Sequence, residues 1–179
     1  MADRVRGLAW AYPMAFVGIA VMLLIARLMP ISAEAGSWPG PDLLLCLILV
    51  WVTRRPDYLP ALLIALVVLA EDLILMRPPG LWAALVLVAS EFLRSRGALT
   101  RELSFAGEWL LVAGVMVAML LAYRLMFLIA FLPQPGFGFA MIQTVATILC
   151  YPLVVGLSWF LLDLHKPATG ELDSYGRRM

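Results

Sequence analysis

Apolar runs separated by short polar or Pro/Gly-rich breaks cover nearly the whole chain. The first extends from about Leu8 to Met29, behind Arg4 and Arg6, and stops at Pro30. It is longer than the apolar part of a signal peptide and further runs follow, so it reads as a retained first span, although Ile31 to Gly36 offers small residues of the cleavage-site type. A Gly/Pro-rich turn from Gly36 to Pro41 leads to a short second run, Asp42 to about Thr53. There Pro41 suits a first helical turn and Asp42 suits the positive end of a helix dipole. The third run, from roughly Tyr58 to Met76, lies between a basic turn, Arg54-Arg55-Pro56-Asp57, and Arg77-Pro78-Pro79-Gly80. The fourth, about Leu81 to Leu93, is again short. The stretch Arg94 to Glu102 is too charged to cross a bilayer and reads as a polar loop. A fifth run, Phe105 to Leu132, carries Arg124, and the turn Pro133 to Gly136 leads into a sixth, Phe137 to Leu162, which Pro152 is expected to kink.

A bilayer core ~30 Å thick takes about 20 helical residues to cross. The pattern therefore predicts an all-α membrane protein: a bundle of about six transmembrane helices, some short or kinked. Residues 1–164 form one integral membrane domain, and 165–179 form a short, flexible polar tail. Composition agrees, because 64% of the 179 residues are hydrophobic and 14% charged, against nearer half and a quarter in soluble domains.

Charge placement orients the bundle. With six crossings, Arg4, Arg6, Arg54, Arg55, Arg94, Arg96, Arg101, Lys166, Arg177 and Arg178 share one side, and the other holds only Arg27 and Arg77. That asymmetry is a positive-inside signal. It places both termini and the basic loops in the cytoplasm, and the chain in a bacterial inner membrane as a multi-pass protein.

The residues that stand out chemically are carboxylates at depth. Glu71 and Asp72 lie ~20 Å along the third run, where charge is costly and faces protein or water. Adjacent helical positions diverge, so the two are not a proton-sharing dyad, and one at most is expected to point squarely into the bundle. Arg27, Arg77 and Arg124 map to the same half, and Asp42 sits at the same level. The expectation is a structural polar anchor in which Arg124 pairs with Glu71 or Asp72; an ion or proton relay, or a polar contact that locks a partner, is the functional alternative. Glu91 and Arg94 are spaced for a solvated pair, and Glu108 falls near a run's end, where charge costs least. Gly114, Ala118 and Ala122 recur every four residues, a spacing that lets helices approach closely in lipid; packing within the bundle is the expected use. Cys46 and Cys150 read as small apolar side chains. There is no phosphate loop, HExxH, GxSxG or CxxC and only one histidine, His165, so no catalytic, cofactor or metal residues are assigned.

Pro41-Asp42 opening a short span, Arg54-Arg55-Pro56 after it, and Asp72 ahead of Pro78-Pro79-Gly80 together resemble the bacterial rod shape-determining protein MreD family. That family carries an Asp on its third span followed by a Pro-x-Gly turn. Asp72, Pro78 and Gly80 match, while Pro79 stands where leucine is usual. The resemblance covers about residues 10 to 162. It implies a non-enzymatic inner-membrane scaffold of the cell-wall elongation machinery. Its partner would be an MreC-like single-span protein, within an assembly that includes MreB, RodA and a class B penicillin-binding protein, surrounded by membrane lipids and without nucleic acid. The alternative reading is a small-molecule-binding transporter subunit, similar to the substrate-binding components of energy-coupling vitamin transporters. A cavity lined by polar and aromatic side chains would favour the alternative, and a closed apolar interior would count against it.

Overall fold

The computed structural model describes residues 2–29, 39–133 and 136–162. The cleavage-type stretch, Trp38 and the polar tail lie outside the described residues. All regular structure among the described residues is helical: α1 (Ala2–Leu28), α2 (Leu43–Arg54), a 3₁₀ turn (Pro56–Tyr58), α3 (Ala61–Ile74), α4 (Leu81–Ser95), α5 (Gly97–Glu102), α6 (Phe105–Ile129) and α7 (Phe137–Leu162). Three of these, α1, α6 and α7, are long and apolar enough to cross a membrane. With 12, 14 and 15 residues, α2, α3 and α4 rise only ~18–22 Å each.

The bundle is built around α2. Its sequence, LLLCLILVWVTR, is apolar on every side up to its last turn, and a helix of that kind is stable only when surrounded. Every residue from Leu44 to Thr53 is buried. α7 and α4 pack along it, α3 pairs with α4 as a hairpin, and α6 bridges α4 and α7. α1 closes the remaining side against α2, α3 and the 3₁₀ turn. Near the C-terminal end of α2, Tyr12 stacks on Tyr58 with ring centroids 4.1 Å apart, and Phe16 lies 5.5 Å from the Trp51 ring.

Outside, the polarity expected of a soluble protein is reversed. Leu62, Leu66, Leu69 and Leu73 form an exposed stripe on α3, as do Val145, Leu149, Leu153 and Leu157 on α7. Inside, α6 buries Glu108, Val112, Met116 and Met119 at helical spacing. Apolar stripes outside and charge inside are what acyl chains as solvent require.

Several local expectations change. α2 begins one residue after Asp42, so Pro41 precedes the cap rather than occupying the first turn. α6 continues through Arg124 and stops at Ile129, short of the expected Leu132. Part of the predicted polar loop forms α5. The Gly114, Ala118, Ala122 face is not packed within the bundle. Gly114 and Ala118 are exposed, and a Cβ placed on Gly114 would meet nothing within 4 Å. They floor an open groove of about 490 Å³ between α4 and α6, walled by Leu85, Val88, Phe92 and Leu110. The buried row of α6 is Val112, Met116 and Met119, and Gly114 and Ala118 fall on the opposite, outward side.

Candidate functional site: two polar knots and a cavity

Asp42 caps α2, its Oδ1 accepting the Leu45 N–H at 3.0 Å. The same oxygen is 3.1 Å from the Arg27 guanidinium on α1, which also hydrogen-bonds Glu71 on α3. Arg77, just past α3, stands 3.9 Å from the same Glu71 oxygen. The Asp42 N–H donates to Thr147 Oγ1 at 2.9 Å, and Thr147 donates to the Gln143 carbonyl at 2.7 Å. One chain of polar contacts thus ties α1, α2, α3 and α7 at the N-terminal end of α2. Arg27 keeps 22% of its side-chain exposure while Glu71 keeps 2%, so the carboxylate depends on this partner.

The cationic partner of Glu71 is therefore Arg27, and not Arg124 as the shared depth implied. Arg124 lies over the Phe137 ring, 4.9 Å from its centroid. Both members of the acidic pair are buried, against the expectation that one at most would point inward. α3 lies between α1 and α4, so its two diverging carboxylates each find a neighbour.

Asp72 solves a local problem. Gly80 precedes α4 with φ +88° and has no side chain to cap the helix. Asp72 Oδ2 reaches from α3 to accept the N–H groups of Gly80 at 3.1 Å and Ala83 at 3.3 Å. The cap normally supplied by the residue before a helix comes here from the preceding helix. Glycine fits because that φ is left-handed, where a Cβ costs ~1–2 kcal/mol. The Asp72, Pro78, Gly80 pattern is thus one turn, closed by a carboxylate.

The C-terminal end of α2 holds a second knot, which sequence reasoning missed. Glu108 is wholly buried. Its Oε1 lies 3.3 Å from Arg54 and accepts the Tyr151 hydroxyl at 2.9 Å, and Tyr151 is 3.4 Å from Thr53 Oγ1. Expected at a cheap, wet level, Glu108 is instead covered by α2 and α7. The available signal was Tyr151 on the sixth run, a phenol in an apolar helix that needs a partner when buried.

Arg54 lies in the last turn of α2 and Arg94 in the last turn of α4, Arg55 and Arg96 follow those helices, and Arg101 falls on α5. Arg94 pairs with Glu91 at 2.9 Å, the solvated pair expected, and also donates to the Leu59 carbonyl at 2.7 Å. Arg96 lies over Phe92. Both cysteines are free thiols, and Cys46 donates to the Thr147 carbonyl.

Beside the first knot is a cavity of about 320 Å³. Asp42, Arg77, Thr147, Gln143 and Thr144 supply its polar lining; Trp82, Tyr123 and Phe139 supply aromatic walls. Arg77 lies 5.6 Å from the Trp82 ring centroid, and Trp82 meets Tyr123 edge to face at 5.5 Å. Among the described residues no group of three or more His, Cys, Asp or Glu side chains is arranged to hold a metal ion.

Comparison of the chain with protein-family models, with curated proteins and with solved structures finds no match in any of the three.

Proposed function

We propose that the chain is a non-enzymatic scaffold of the bacterial inner membrane, acting in cell-wall elongation as MreD proteins do and binding the transmembrane helix of an MreC-like protein. In this reading it crosses the membrane six times, three times with long helices and three with short ones extended by flanking turns. Both termini and the arginine-rich end face the cytoplasm. The wider assembly includes MreB, RodA and a class B penicillin-binding protein.

The observation that carries the reading is the α4–α6 groove, apolar throughout and floored by Gly114 and Ala118. Helices associate in lipid where small residues let backbones approach, because burial of apolar surface there gives no hydrophobic gain. The Asp72-capped turn at Gly80 fits the same family pattern.

The experiment is photocrosslinking from position 118 in cells, with position 149 on the lipid-facing stripe of α7 as control. A single-span, MreC-like partner should crosslink from 118 and not from 149. Recovery of lipid alone from both positions would overturn the reading. A periplasm-active reporter fused after Met179 should stay inactive, and activity there would reverse the topology.

A second reading has its own support in the cavity beside Asp42 and Arg77, whose polar and aromatic lining is what a substrate-binding transporter subunit needs.

A further inference from the structure

The cavity between the N-terminal ends of α2 and α4, the C-terminal half of α6 and the first turns of α7 has a lining with unused hydrogen-bonding capacity. The Trp82 indole N–H, the Tyr123 hydroxyl and the Gln143 side-chain amide border it, and none makes a hydrogen bond to another described residue. Thr144 already donates to the Ala140 carbonyl at 2.9 Å, leaving its oxygen free to accept. Among the described residues Arg77 makes a long ion pair with Glu71 at 3.9 Å and lies over the Trp82 ring, which leaves most of its five donors available. Donors outnumber acceptors, and they are spread around walls that are largely apolar and aromatic.

Charge narrows the ligand. Arg27 and Arg77 face Asp42, Glu71 and Asp72, so formal positive charge is not in surplus, and an added anion would have no unshared cation to meet. The wall itself holds one cation, Arg77, and one carboxylate, Asp42, so a charged ligand of either sign meets a like charge there. The volume, about 320 Å³, lies at the small end of pockets that enclose a compact organic molecule. The edge-to-face Trp82–Tyr123 pair gives a flat ring both a face and an edge to pack against.

We propose that this cavity is a binding site for a neutral, flat, ring-bearing small molecule carrying carbonyl-type acceptors. Trp82 and Tyr123 hold the ring, and Gln143 and Arg77 read the acceptors. This gives a ligand class to the site on which the transporter-subunit reading rests. The pocket also lies apart from the α4–α6 groove, so a docked partner helix leaves it free.

The test uses the full chain in lipid nanodiscs and two fluorescent probes with related ring systems, neutral lumichrome and anionic flavin mononucleotide. Lumichrome should bind saturably, and flavin mononucleotide at least about tenfold more weakly, since its phosphate finds no unpaired cation. Gln143→Ala should weaken lumichrome about tenfold, and Ala140→Trp should abolish binding by filling the space. Tyr123→Phe, which preserves shape, keeps the result readable if the larger change fails to fold. Organic extracts of wild type should also contain a neutral ring compound that Ala140→Trp lacks. Non-saturable partition of lumichrome into the bilayer, equal binding to all variants, or extracts holding only lipid would overturn the site. Because crosslinking at position 118 is read separately, loss of this site leaves the partner result standing.

Discussion

The two ends of α2 are knotted by similar groups to different effect. At its C-terminal end one carboxylate, Glu108, serves Arg54 and Tyr151 in a closed environment. At its N-terminal end Arg27 is shared between Asp42 and Glu71, Arg77 stands farther off, and a cavity opens beside them. The first sits in close packing among α2, α6 and α7 and locks those helices together. The second leaves polar capacity over, which a purely architectural joint has no use for. Two buried ion clusters of one bundle can therefore be separated by whether a cavity with polar lining opens beside them.

That contrast can be broken by substitution. The largest effect is expected from Arg27→Ala, which strands Asp42 and Glu71 in the interior; loss of one partner from a buried pair costs about 3–5 kcal/mol. Denaturant unfolding in mixed micelles should show it, and a change near zero would mean that Arg77 moves in to replace Arg27. Glu108→Gln comes next. It removes the charge opposite Arg54 while keeping a carbonyl acceptor for Tyr151, and the expected loss is about 1.5–3 kcal/mol. A loss of lumichrome binding in this variant would erase the distinction between the ends. Asp72→Ala should cost about 0.5–2 kcal/mol through the cap of α4, read as faster amide exchange at Ala83 with little change at Leu45. The smallest change is expected from Arg77→Ala, below about 1 kcal/mol, because its ion pair with Glu71 is long. If Arg77→Ala destabilised as much as Arg27→Ala, the N-terminal knot would be as closed as the other.

Depth was legible in the sequence and direction was not. Counting residues along each run placed Arg27, Asp42, Glu71, Asp72 and Arg77 at one level, because helical rise is constant. Choosing Arg124 as the partner of Glu71 failed because level says nothing about which helices are neighbours. α1, not α6, lies against α3. Glu108 was misjudged for the same reason: four residues from its N-cap it looked shallow, and only the packing of α2 and α7 over it makes it deep. The central place of α2 was foreshadowed by its lack of any polar face, and the outward turn of Gly114 and Ala118 by nothing in their spacing.

The shortness of α2 has a consequence for the surrounding lipid. A central post of 12 residues stands ~18 Å tall, well under the hydrocarbon thickness that its longer neighbours match. A bilayer that fits the long helices overhangs such a post, and the shortfall is met by flanking turns or by local thinning of the lipid. Thinning there would bring the headgroup level closer to Asp42 and Arg77.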